Sequence, residues 1–125
     1  MFAESVDRYF HGSSVSPVRI TNETSLDVKS LRRAVIVLHA VWSGPSAACL
    51  ARLAALPDAP SGPWLYVVDI DGVAPDWLER QFGAISHGHG ETFWIRDGVI
   101  VDHDRSYAMR PDAVSRATRR LFADA

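Results

Sequence analysis

The sequence predicts an α/β protein, a three-layer α/β/α sandwich whose mixed central sheet ends in a β-hairpin followed by a last helix. Three observations predict it. AVIVLHAV (Ala34 to Val41) and WLYVVDID (Trp64 to Asp71) are apolar, β-rich runs too continuous for strands with one wet face, so they read as strands buried on both sides. Each is followed by a helical pattern, and a strand, helix, strand order within one sheet demands parallel pairing with crossovers. Near the end, ETFWIRDGVIVDHD places Asp97-Gly98 between two β-rich runs, the sequence signal of a tight hairpin and hence of antiparallel pairing.

The elements follow in order. In ESVDRYF, Val6, Tyr9 and Phe10 fall at helical spacing and suit a short N-terminal helix docked on the body; residues 1–15 are assigned to this extension and 16–125 to the domain. SPVRITN reads as a short strand. SLDVKSLRR reads as a polar-faced helix with Leu26 and Leu31 as core contacts. AVIVLHAV runs directly into WSGPS, after which AACLARLAAL is rich in helix formers, places Leu50, Leu53 and Leu56 near one stripe and stops at a Pro- and Gly-rich loop. APDWLERQFG is a helix with Pro75 near its start and Gly83 at its C-cap. In the closing helix PDAVSRATRRLF, Val114, Ala117 and Leu121 face one way and Arg116, Arg119 and Arg120 mainly outward.

Bulk properties limit the function. With 125 residues, 47% of them apolar, the chain suits one compact domain with a real core. A formal charge of −2 argues against a general electrostatic grip on nucleic acid or an anionic membrane. The opening MFAESVDRYFHG carries acid where a secretory signal carries positive charge, no apolar run is long enough to span a membrane, and the lone Cys49 cannot form an intramolecular disulfide; together these point to the cytoplasm.

From about Ser16 to Phe122 the chain resembles the thioredoxin family. The marks are ETSLDVKSL before the central strand, Ala40-Val41-Trp42 at its end, Gly44-Pro45 in the turn and IRDG at the hairpin. WSGPS looks like the family's Trp-Cys-Gly-Pro-Cys with both sulfurs replaced by oxygen. Dithiol exchange needs a thiolate nucleophile and a second thiol to resolve the mixed disulfide, and Ser43 and Ser46 provide neither. The resemblance also implies a buried carboxylate at Val37 and a cis-proline just before TFWI, where this chain has His89-Gly90-Glu91. Nucleophile, proton acceptor and substrate clamp are all replaced, so dithiol oxidoreductase activity is expected to be lost, with no catalytic residue and no cofactor.

Each remaining candidate has a structural reading beside the functional one. Ser43 suits an N-cap, worth roughly 1 kcal/mol, and the serines read as retained for capping alone. Cys49 reads as a small buried hydrophobe. Trp94 reads as core, whereas Trp42 reads as an exposed anchor for a protein partner. The expected function is therefore protein binding through the degenerate motif Ser43, Gly44, Pro45 and Ser46 with Trp42, His87, His89, Gly90 and Glu91. The resemblance suggests an assembly or maturation chaperone, or an immunity or inhibitor-type protein, with a partner and oligomeric state that the sequence does not name. The alternative is a metal-binding protein or enzyme using His39, His87 and His89. A nucleophile–base pair of Ser43 with His39 ranks below both, since no orienting carboxylate accompanies it.

Overall fold

The computed structural model describes residues 1–83, 86–105 and 111–123. Five strands form one sheet in the order β1-β3-β2-β4-β5: β1 Val18–Ile20, β2 Arg33–His39, β3 Leu65–Asp69, β4 Thr92–Arg96 and β5 Val99–Asp104. Four helices cover it: α1 Phe2–Phe10, α2 Gly44–Ala54, α3 Pro75–Phe82 and α4 Pro111–Phe122. β1, β3 and β2 pair in parallel, and β4 and β5 run antiparallel, as the crossover and hairpin signals require.

β2 lies at the centre, and its residues from Ala34 to His39 are all buried because both faces are covered. Alternation sends Val35 and Val37 to one face, with Leu65, Val67 and Trp94, under α1, α2 and α4. Ala34, Ile36 and Leu38 go to the other, with Val68, Phe93 and Ile95, under Trp77, Leu78 and Phe82 of α3. Trp94 is core, as expected, and its indole N–H donates to Thr118 Oγ1 at 3.0 Å. The Asp97-Gly98 turn has φ of 50° and 78°, the left-handed pair that a two-residue hairpin uses to match strand twist.

The structure corrects one element. SLDVKSLRR is not an α-helix but part of two short 3-10 turns, Glu23–Ser25 and Val28–Ser30. The Asn22 side chain accepts from Thr24 N–H and that of Asp27 from Lys29 N–H, so each polar residue opens its own turn and competes with a continuous helical ladder. Leu26 is nonetheless buried, and Leu31 packs against the α3-side cluster.

α1 shares the main core: Phe2, Val6 and Phe10 are buried in one cluster with Val37, Leu50 and Leu53. No helix among the described residues is long and apolar enough to cross a membrane. If α1 is an integral layer, Phe10→Ala should lower unfolding free energy by about 3–5 kcal/mol. Urea denaturation checks this, and a helix merely appended to the domain would give a fraction of that loss.

Candidate functional site

The site sits where β2 ends and α2 begins. Ser43 caps α2, its Oγ accepting the Ser46 N–H at 3.3 Å, while Pro45 occupies the first turn, where no amide proton is missed. The capping role foreseen for Ser43 is thus observed. Ser46 does something else. Its hydroxyl is hydrogen-bonded to His39 Nδ1 and accepts the Ala40 N–H at 3.2 Å, so it fastens the last residues of β2 to the first turn of α2.

His39 is buried with only 1% of its surface exposed, and its other nitrogen, Nε2, bonds Ser5 Oγ of α1 at 2.9 Å. The Phe2 ring covers the imidazole at 6.0 Å between centroids. Ser46 Oγ already accepts the Ala40 N–H. The arrangement that satisfies every donor therefore has the Ser46 hydroxyl donating to Nδ1, with the proton of neutral His39 on Nε2 donating to Ser5. Burial disfavours the imidazolium and pulls the His39 pKa from 6.5 down to about 4. A serine hydroxyl on an imidazole nitrogen is half of a nucleophile–base system. Here the third member is a neutral serine, and Ser46 has no exposed surface, so the trio is a structural tie.

The loop facing the motif is self-contained. The Glu91 carboxylate accepts the Ser86 hydroxyl at 3.0 Å and the His87 N–H at 2.7 Å, and its backbone carbonyl accepts the Leu38 N–H at 2.9 Å. Gly88 and Gly90 both have φ near 75°. A side chain at Gly88 would strike Trp42, its Cβ lying 2.3 Å from Cη2; one at Gly90 would lie 2.8 Å from the Ser46 Cα. The loop therefore rests on the motif, with Trp42 against Gly88 and Ser46 under Gly90. His89-Gly90-Glu91 occupies the place assigned to the cis-proline, and no peptide bond among the described residues is cis.

The structure thus brings together Trp42, Ser43, Gly44, Pro45, Ser46, His87, His89, Gly90 and Glu91. They play unequal parts. Ser43, Ser46, Gly90 and Glu91 are buried supports, Pro45 and His89 are partly exposed, and Gly44, His87 and Trp42 form the open surface beside Val41. Trp42 is 65% exposed, whereas Trp64, Trp77 and Trp94 are buried.

The histidine alternative is not supported. His87 and His89 lie near each other, ring centroids 6.2 Å apart, but His39 is held inside by two serines. Among the described residues no three His, Cys, Asp or Glu side chains are grouped to hold a metal ion. His39 also pairs with Ser46, not Ser43.

Cys49 is buried as expected, and its Sγ lies 3.1 Å from Thr92 Oγ1. Thr92 donates its own proton to the Gly90 carbonyl, so the thiol is the donor to Thr92. Burial, first among the causes, raises the thiol pKa to about 11, far from a reactive thiolate. Val37, where the resemblance implied a carboxylate, pairs with Thr92 across the sheet. Two contributors escaped the sequence reading, Ser5 and Thr92. Ser5 had a usable signal: it lies three residues after Phe2 on the buried stripe of α1, and a polar group there requires a buried partner.

Because Ser46 serves two buried groups and Ser43 one helix end, Ser46→Ala is expected to cost about 1–3 kcal/mol and Ser43→Ala about 1 kcal/mol, both read by chemical denaturation. His39 also sets a pH dependence. Its folded pKa lies below the unfolded value, so between about pH 6.5 and 4 the unfolded chain binds the extra proton and stability falls as pH falls. This contribution is at most about 1.4 kcal/mol per pH unit, and His39→Gln should remove it from a pH series of denaturation midpoints.

No protein-family model and no curated protein matches the chain, but solved structures do. Mitochondrial thioredoxin 3 from Saccharomyces cerevisiae, in oxidised form, is similar at 19% identity and a TM-score of 0.66, over 90% of this chain and 99% of that one. A chain from a structural study of thiol resolution in the yeast mitochondrial 1-Cys peroxiredoxin, via glutathione and thioredoxin systems, is similar at 21% identity, TM-score 0.65, over 87% and 99%. A single-substitution thioredoxin variant from Halobacterium salinarum matches at 18% identity, TM-score 0.63, over 87% and 93%. With the strand order and closing hairpin above, these likenesses give the chain a thioredoxin-like fold that carries one buried cysteine and no Cys-x-x-Cys pair.

Proposed function

We propose that this protein is a redox-inactive binding module that engages a polypeptide partner through Val41, Trp42, Gly44, Pro45, His87 and His89. The supporting observation is Trp42, a large apolar side chain left 65% exposed while it is braced against a glycine in a loop that closes on itself. An exposed tryptophan on a rigid platform is the kind of anchor from which protein interfaces draw most of their energy. Dithiol exchange is assigned no part, because two serines store no electrons and the single thiol is buried and protonated. Retention of one unpaired cysteine suits a reducing compartment such as the cytoplasm. Within this reading the module serves as an assembly or maturation chaperone or as an immunity or inhibitor-type partner.

Two measurements test the proposal. Insulin reduction with dithiothreitol should proceed no faster with the protein than without it, and turnover would refute the reading. A partner recovered from the native host at physiological salt should bind Trp42→Ala at least about tenfold more weakly by calorimetry, and unchanged affinity would place the interface elsewhere.

A further inference from the structure

The topology segregates charge along the sheet axis. α2 and α3 follow parallel strands β2 and β3, α4 follows β5, which runs with β2, and Ser5 and Phe2 place the start of α1 at His39; all four helices therefore begin at the Trp42 end. Their last turns carry Arg8, Arg52, Arg80, Arg119 and Arg120, about 8–14 Å along the helix axes from the first helical residues. The Trp42 end instead carries Asp69 opposite His39, exposed Asp71 beyond it, and Asp76 and Asp112 in the first turns of α3 and α4. Glu23 lies at the same end, where its carboxylate accepts the Ala74 N–H. Arg105, after β5, is a cation at this end, and its guanidinium lies 6.0 Å over the Phe93 ring.

Distance decides which charges a partner feels. Arg52, Arg119 and Arg120 lie about 12 Å or more along their helices from the first residue, beyond the Debye length of about 8 Å at physiological salt, and are screened from the Trp42 end. Arg80, one turn from Asp76, is offset by its neighbour Glu79. Helix N-termini add about half a positive charge apiece; Asp76 and Asp112 outweigh those of α3 and α4, whereas α2 has no first-turn carboxylate and Glu4 of α1 pairs with the Met1 amino group.

We infer that the segment docking on Trp42 is basic, a polypeptide stretch pairing an apolar side chain over the indole with lysine or arginine facing Asp71 and Asp76. This rests on the binding reading above. The charges specify the partner's sign and hasten its encounter, while the indole supplies the anchor.

A random peptide-display selection on the immobilised full chain tests it, with Trp42→Ala and Asp71→Lys/Asp76→Lys proteins in parallel and thermal melts confirming that each folds. Peptides enriched on the wild type are expected to carry net positive charge with an aromatic or aliphatic residue, and to lose at least about tenfold of their enrichment on either variant. Enriched peptides that are neutral or acidic, yet lost on Trp42→Ala, overturn this inference and leave the binding reading standing. Equal enrichment on wild type and Trp42→Ala overturns the binding reading itself. Quenching supplies a peptide-free check: with each constant divided by that of N-acetyltryptophanamide at equal ionic strength, caesium should quench the Trp42 emission, taken as wild type minus Trp42→Ala, more strongly than iodide, and the reverse order refutes the charge assignment.

Discussion

The hydrogen bonds of one buried imidazole fix the geometry on which the site depends. His39 ends the central strand and ties it to two helices, to α1 through Ser5 and to α2 through Ser46. A buried polar side chain without partners costs about 1–3 kcal/mol, so the trio holds only if all three elements stay in place. That is why α1, with Phe2 over the imidazole ring and Val6 and Phe10 in the same core, is bound into the domain and not draped on it. The tie also sets the angle at which the chain leaves β2, and hence where Trp42 emerges.

Oxygen suits this position for reasons that sulfur would not. A serine hydroxyl accepts the Ala40 N–H while donating to imidazole, whereas a thiol is a weak donor and a weak acceptor. The residue that a dithiol enzyme would need as its resolving thiol has become the hub of a polar network. Gly90 closes over it, approaching Ser46 so tightly that even a methyl group would collide. Serine at position 46 and closure of the loop are complementary: with Ser46 fully buried, the Gly90 backbone packs directly on it.

The fold was legible in the sequence because its signals are local and redundant. Continuous apolar runs, Pro75 and Gly83 around α3, and Asp97-Gly98 each specify one element, while the spatial order β1-β3-β2-β4-β5 is supplied by the structure. The 3-10 turns at 23–30 were missed because the decisive terms, the Asn22 and Asp27 side-chain bonds, depend on local backbone geometry. At the site, the Ser43 cap and the buried Cys49 followed from position, and the exposed Trp42 from the resemblance. The role of His39 did not, because a histidine's partners lie wherever the fold brings them, here 34 residues back in Ser5 and seven ahead in Ser46. Glu91 was placed at the site, but its role was not legible for the same reason: its worth lies in the Ser86 and His87 groups that it gathers.

The exposed surface is therefore narrower than the motif itself. Ser43, Ser46, Gly90 and Glu91 are buried and cannot be touched, yet each removes freedom from something that can. Glu91 fixes the loop, the loop places Gly88, and Gly88 sets the resting position of the indole. Ordering a mobile, rotamer-rich side chain on binding costs roughly 0.5–1.5 kcal/mol. For Trp42 much of that cost is met during folding, since its outer ring is already seated on the loop. Gly88 also excludes the alternative of a flatter, better-covered surface, because any side chain there would take the space that the indole occupies. In the proposed reading the motif residues thus contribute through packing, holding one exposed ring at the end of the sheet where β2 meets α2.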